Sequence, residues 1–491
     1  MNLIDIIESY SFTNKVAHIY RNSNLTYREL KTKSDSLAVK IIELFGKDKT
    51  PIIVFGHKDH LMLICFLACV KSGHAYIPVD SSTPYTRLKD ILLISGAKLI
   101  INISDDLIDI HVDTILNKKE IEANVLQYEN KIPNINHRIK DEEVYYIIYT
   151  SGSTGKPKGV QITKKCIQSF IDWSLDLIDK KDKIFMNQAP FSFDLSVMDT
   201  YLSLVSGSIL YSIDKEMIAN LPELFINFKS SGITTWVSTP SFAEMCSQSE
   251  LFNENLLPEL RQMLFCGETL SKVCVEKLFE RFPKVKIINF YGPTEATVAV
   301  TAIEIKKEML LSKESLPVGY VKKDCELIIE ENTNEILIVG DSVSIGYFAD
   351  PILTEKIFFE KEIQGVKKRG YRTGDTGFMV NGLLYYEGRI DNQIKLHGYR
   401  VEIEDIENNI RRHPFIKNAV VVPLKEQGKI KYLVTEIVLN DKFEGNITIS
   451  VKNFLKDLLP SYMIPRKVKV VESLPMNVNG KIDRKKIMEE F

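Results

Sequence analysis

Little in this chain would take it out of the ordinary globular class. It holds only 2 Trp, and its longest apolar run is Leu61–Val70, about half of what a helix needs to cross a bilayer. Its 63 Lys+Arg and 65 Asp+Glu leave a net charge of −2, so no chain-wide basic field points to nucleic acid. None of the 7 Cys forms a CxxC pair, and the 8 His form no HExxH or His/Cys cluster, which excludes the common zinc motifs. The cysteines read instead as reduced core thiols, Cys65 and Cys69 sharing one helix face. Asp5 and Glu8 interrupt the first apolar residues, which does not suit a signal peptide. A cytoplasmic protein without membrane insertion is expected.

What is present is ample apolar material: 44% of 491 residues are hydrophobic and 26% charged. At ~150 residues per domain this suggests roughly three units, with enough for more than one core. PIIVFG (51–56), AYIPVD (75–80) and KLIINI (98–103) read as strands. His60–Ser72, closed by Gly73, reads as a buried helix between the first two. A second helix is expected with Thr83 as its cap, Pro84 at its first position and Gly96 past its end. This βαβαβ pattern argues a parallel sheet covered by helices. A second series follows: VYYIIY, KIFMNQ, SILYSI, ITTWVS, QMLFC and VKIINF, separated by helical stretches such as Lys165–Ile178 and Ser271–Phe282. After Leu316, short alternating segments such as EILIVG and LLYYEG suggest a smaller antiparallel unit. A polar joint lies near Asp391, and the rest reads as a compact α+β module.

The distinctive loops follow the carboxyl ends of proposed parallel strands: 149–159, 189–196, 236–242, 265–268 and 289–296. Ligand crevices of open α/β sheets form at those ends. The richest loop, Thr150-Ser151-Gly152-Ser153-Thr154-Gly155-Lys156-Pro157-Lys158-Gly159, offers hydroxyls, backbone N–H groups and two ammonium groups to a polyphosphate. It is not the common P-loop, because no Ser or Thr follows Lys156.

YTSGSTGKPKGV, NFYGPTEATVAVT, GYRTGDTG, EGRIDNQIKLHGYRVEIEDIE and NVNGKIDRKKI, in that order from Tyr149 to Ile487, together resemble the adenylate-forming superfamily. That superfamily includes acyl-CoA synthetases, luciferases and the adenylation domains of nonribosomal peptide synthetases. A closer resemblance, carried by QAPFSFDLSVMDTYLSLVSG, STPSFAEMC, LFCGE and PSYMIPRKVKV, is to its carrier-protein ligase branch. His397-Gly398-Tyr399-Arg400 stands where ordinary amino-acid adenylation domains show Arg-Gly-x-Arg.

The resemblance implies an α/β fold. A large N-terminal domain (1–390) would combine parallel sheets flanked by helices with a small β subdomain. A small mobile α+β C-terminal domain (391–491) would follow, with Asp391 as the hinge. It implies ATP as substrate and Mg²⁺ as cofactor, D-alanine as the acid activated, and a carrier protein with a phosphopantetheine arm as acceptor. The acceptor reaction would serve lipoteichoic acid D-alanylation, and a monomer is expected. Thr150, Ser151, Gly152, Ser153, Thr154 and Gly155 would form the phosphate loop, Thr154 being catalytic. Asn289, Phe290, Tyr291, Gly292, Pro293 and Thr294 would border adenine and acyl-adenylate, with Tyr291 stacking on the base. Glu295 would hold Mg²⁺. Asp375, read as a turn residue, would accept the ribose hydroxyls. Tyr386, Glu387, Gly388 and Arg389 would close the nucleotide site. Lys481, on the turn made by Asn479-Gly480, would contact the carboxylate and α-phosphate. Cys266 and Val298 match positions of the amino-acid pocket. Asp194, a carboxylate in an apolar loop, needs a cation or hydrogen-bond partners to stay charged; a substrate ammonium would provide one. The competing readings are an L-amino-acid adenylation enzyme, a short-chain acyl-CoA synthetase, and an inactive nucleotide-binding scaffold.

Overall fold

The computed structural model describes residues 2–152, 155–179, 183–312, 314–396, 398–426, 429–476 and 482–491. The chain forms two compact units. The first comprises 1–81, 95–148 and 159–390, and the second 82–94, 149–158 and 391–491.

In the first unit a fourteen-stranded sheet carries a run of parallel neighbours: Lys286–Tyr291, Gln262–Phe265, Thr235–Ser238, Ile184–Asn187, Ile209–Ser212 and Val16–Tyr20. All of these strands but the last are buried almost throughout, as strands covered by helices on both faces must be. The apolar faces of helices Lys164–Leu177 and Leu195–Val205 supply part of that cover. A second, six-stranded sheet runs Thr114–Asn117, Leu99–Asn102, Ile52–Gly56, Tyr76–Asp80, Val144–Thr150 and Lys158–Thr163. Helix His60–Ser72, capped by the Asp59 side chain, has every residue after His60 buried. The helix after Pro84 spans Tyr85–Ser95, so Pro84 precedes it rather than opening it.

The strands expected after Leu316 are antiparallel, but they do not form a separate sheet. Thr301–Ile305 pairs antiparallel with Lys286–Tyr291, and Gly319–Val321 and Leu383–Arg389 extend the same ladder. Hydrogen bonding along the sheet edge propagates across the change of strand direction, which the hydrophobic pattern of single strands does not register.

The second unit holds a three-stranded sheet, Ile416–Glu426, Lys429–Leu439 and Lys467–Val470, with a ribbon of Gln393–Leu396 and Tyr399–Glu402. Helix Ile403–Arg411 buries Ile406 and Ile410 against Ala419, Val421 and Val451. Segments 82–94 and 149–158, read from sequence as N-terminal, group here through specific contacts. Arg87 pairs with Asp405 at 3.5 Å. The Ser151 hydroxyl donates to the Arg400 carbonyl at 2.9 Å and accepts from the Glu402 N–H at 3.1 Å. Among the described residues, no helix is long and apolar enough to cross a membrane.

Candidate functional site

Four neighbouring parallel strands of the large sheet, Ile184–Asn187, Thr235–Ser238, Gln262–Phe265 and Lys286–Tyr291, release their loops at one edge. The loops at that edge carry Asp194, Cys266 and residues 292–295. Asp194 occupies the N-cap position of helix Leu195–Val205, yet its side chain makes no capping bond. Instead Oδ2 accepts from the Thr294 hydroxyl at 2.7 Å, so the loops after two different strands are tied at this carboxylate. At 8% exposure Asp194 is not a surface turn residue. Nearby, the Tyr146 hydroxyl is buried without a hydrogen-bond partner. Burial, then the charge of Asp194, raises its pKa well above the usual tyrosine value.

Cys266 and Val298 are both buried, and the Cys266 thiol lies 3.6 Å from the Val298 carbonyl oxygen. The turn between them and Glu295 is strained. Thr297 and Val298 have φ of +58° and +68°, where a β-branched residue is a genuine outlier. Gly292 permits this turn, because a Cβ there would lie 2.5 Å from the Ala299 Cα.

Glu295 is fully buried, and its Oε1 accepts from the Tyr347 hydroxyl at 2.7 Å. No cluster of three or more His, Cys, Asp or Glu suited to a metal occurs among the described residues. A single carboxylate still fits Mg²⁺, which usually completes its octahedron with substrate phosphate oxygens and water.

Asp375 lies within strand Val366–Val380, not in an isolated turn; the irregularity there is a register shift between Thr376 and Gly377. Its Oδ1 accepts from Arg389 Nη1 at 2.7 Å and its Oδ2 from the Tyr291 hydroxyl at 2.8 Å. Burial, followed by the Asp375 charge, pushes Tyr291 well above the normal tyrosine range. The ring of Tyr291 stands 6.1 Å from that of Tyr386. Two expected nucleotide neighbours turn their side chains inward. Asn289 donates to the Pro317 carbonyl at 2.9 Å, and Phe290 rests edge-on against Trp173. Glu387 is exposed, and Gly388 pairs with Thr376 in the strand ladder.

The second unit carries the rest. Gly152 has no alternative there, since a Cβ would meet the Lys156 carbonyl oxygen at 2.3 Å. The Gly155 N–H closes a turn onto the Gly152 carbonyl at 3.0 Å. The Thr150 hydroxyl is buried without a hydrogen-bond partner, and Asp391 Oδ1 accepts from the Gln393 N–H at 3.1 Å. Ser153, Thr154, His397 and Lys481 lie outside the described residues. Sequence reasoning missed Tyr146, Tyr347, Ser342 and Lys322. Only the Gly-containing segment Ser342–Tyr347, between a strand and a helix, could have flagged two of them.

The AMP-binding enzyme family model matches residues 8–348, and the AMP-binding enzyme C-terminal domain model matches 405–481. The D-alanine–D-alanyl carrier protein ligase of Bacillus cytotoxicus is 48% identical, covering 100% of this chain and 99% of its own. That of Bacillus anthracis is 47% identical over the same shares. Among solved structures, the o-succinylbenzoate CoA synthetase of Bacillus subtilis superposes with a TM-score of 0.84 at 19% identity, covering 99% of this chain and 98% of its own. A Vibrio cholerae adenylation domain bound to glycyl-adenosine-5'-phosphate superposes at 0.81 and 24% identity, covering 99% and 97%. The two structures establish the shared fold, and the near-half identity over full length goes further: the chain belongs to the AMP-binding enzyme family and, within it, to the D-alanine–D-alanyl carrier protein ligases.

Proposed function

We propose that the protein activates D-alanine with ATP to D-alanyl-adenylate and pyrophosphate. It then transfers the D-alanyl group to the phosphopantetheine thiol of a carrier protein, for lipoteichoic acid D-alanylation. The observation that carries this reading is Asp194, a buried carboxylate tied to Thr294 at the edge that also gathers Cys266 and Val298. A small amino acid would bring an ammonium that a buried carboxylate at this edge can pair with, whereas a simple acid would bring none. The names of relatives at 47–48% identity support the same substrate and acceptor.

In the first half-reaction a substrate carboxylate oxygen bonds to the α-phosphorus of ATP as the bond to the pyrophosphate oxygen breaks. Asp194 holds the ammonium and fixes the attacking carboxylate, a gain made by orientation. The loop Thr150–Gly155, with Thr154, cradles phosphate oxygens. Asp375 and Arg389 face the ribose, and Asn289–Thr294 border the base and adenylate. A Mg²⁺ held by Glu295 would neutralise phosphate charge. Lys481 adds an ammonium where negative charge develops, worth ~10²–10³ in rate for one such donor. In the second half-reaction the carrier's thiolate attacks the acyl carbon. AMP departs with the electrons of the broken C–O bond, and the thiol proton passes to solvent. Residues 391–491 rotate about Asp391 between the two halves, withdrawing Lys481 and admitting the thiol.

ATP–pyrophosphate exchange with a panel of D- and L-amino acids, acetate and propionate tests the reading. D-alanine should support the fastest exchange and propionate almost none. Equal exchange with D-alanine and propionate would remove Asp194 from its role. No exchange with any acid would favour the inactive scaffold. Lys481→Ala should lose adenylate formation yet still transfer from presynthesised D-alanyl-adenylate.

A further inference from the structure

We propose that Lys322 is a positioning residue of the amino-acid pocket, acting through Ser342 on the strained turn that carries Val298. The inference rests on the assignment of Cys266 and Val298 to that pocket. It names what holds the pocket in shape.

Thr297 and Val298 sit at positive φ, and such strain persists only where the surroundings over-determine it. Here the restraint has two parts. The Thr297 hydroxyl donates to the Ser342 carbonyl at 2.7 Å. The Lys322 backbone N–H donates to the Val300 carbonyl at 2.9 Å, just past the turn. The Lys322 side chain joins the two parts. Its ammonium, with no exposed side-chain surface, donates to the Ser342 hydroxyl at 2.6 Å and also to the Ser169 hydroxyl. It pairs with Asp324 at 3.1 Å and lies 6.0 Å from the centre of the Trp173 ring. A buried ammonium with several partners at fixed angles is a rigid anchor. Ser342 therefore reaches Thr297 from a point that Lys322 fixes.

The other end of the same segment is fastened separately. The Ile345 N–H donates to the Gln161 carbonyl at 3.3 Å, the Gln161 N–H to the Gly346 carbonyl at 3.1 Å, and the Phe348 N–H to the Gly159 carbonyl at 2.7 Å. Tyr347, which holds Glu295, belongs to that end. Loss of Lys322 should thus loosen the Val298 turn while leaving the Glu295 carboxylate in place. No general weakening of the fold makes that separation.

The test is steady-state exchange on the full chain for Lys322→Met, Ser342→Ala, Thr297→Val and the double variant Lys322→Met/Ser342→Ala. Each single variant should raise the KM for D-alanine, Lys322→Met by about 10-fold or more, because small misplacements of positioning groups are costly. Preference for D- over L-alanine should fall, while the KM for ATP keeps its wild-type value. The double variant should be no worse than Lys322→Met alone, since both changes cut one connection. Equal rises in both KM values, or effects that multiply in the double variant, would overturn the proposal. If Lys322→Met does not fold, Ser342→Ala and Thr297→Val decide by the same criteria. A wild type inert toward D-alanine but active with another amino acid would defeat the substrate assignment alone, and the KM shifts would then be read with that amino acid.

Discussion

Asp375 and Asp194 are both buried carboxylates in the first unit, yet the structure treats them differently. Asp375 lies in the antiparallel part of the large sheet and has a guanidinium on one oxygen and a phenol on the other. Asp194 lies beyond the parallel part, and its 2.7 Å hydrogen bond comes from a neutral hydroxyl. A carboxylate matched by a full positive charge within the chain is held in place by the fold. Asp194 instead ties together two loops at the sheet edge, where the proposed function places the substrate ammonium. The proposed function thus assigns selectivity to the parallel half of the sheet and the nucleotide-side carboxylate to the antiparallel half.

The strongest way to break this contrast is Arg389→Met. Removing one partner of a buried pair typically costs about 3–5 kcal/mol, so thermal unfolding of the full chain should shift markedly downward. An unchanged melting temperature would mean that the Asp375 pair contributes nothing to the fold. Asp194→Ala should do the reverse. Amino-acid activation should lose about 2–5 kcal/mol, the cost of truncating one member of a charged pair, while calorimetric ATP binding and the melting temperature stay near wild type. A variant that melts early but still activates D-alanine would invert the comparison. Cys266→Ala sharpens the selective side further. Turnover should persist with weaker discrimination between D- and L-alanine, a difference of about 1–3 kcal/mol for a small group in a pocket. An aminoacyl–Cys266 adduct in a mass spectrum would contradict this non-covalent role.

The smallest effect concerns a third carboxylate, Asp80, at the end of strand Tyr76–Asp80. Burial alone would raise its pKa, but hydrogen bonds and charge from His57 and Lys215 hold it below the usual carboxylate range. A depressed folded-state pKa gives stability that is present above the unfolded value, near pH 4. That stability is lost as pH falls through the folded value. Acid titration of the wild type should show this loss, and Asp80→Asn should flatten that limb. An identical acid limb in the variant would show that Asp80 is not among the groups responsible.

The strands and loops of the site were legible because each strand is short, apolar and followed by Gly or Pro, and because parallel neighbours expose their loops on one edge. Helix His60–Ser72 was legible to the residue, since Asp59 and Gly73 mark both ends. The continuity of the large sheet was not, because pairing between Lys286–Tyr291 and Thr301–Ile305 is a relation between segments. Asp375 read as a turn because Gly374 precedes it, yet a long strand absorbs that glycine at φ +69°. Lys322 carried no signal, and Ser342 only that of the Gly-containing segment it opens. Their importance arises from a bond across 20 positions, and neither belongs to a motif whose chemistry names itself.

A valine held at φ +68° carries a conformational cost that a glycine escapes. Left-handed backbone costs a non-glycine residue roughly 1–2 kcal/mol, whereas glycine forfeits about 0.5–1 kcal/mol in chain entropy on folding. At position 298 the loss of a buried side chain adds about 1.5–3 kcal/mol, so Val298→Gly should destabilise the fold, though by less than that burial term because the backbone strain is relieved. Most positions that shape a binding cavity resist alteration because the fold suffers first. At position 298 the relief of backbone strain offsets part of that loss, which makes a smaller residue there a less costly route to variants that accept a bulkier amino acid, whether arising by drift or chosen from a library.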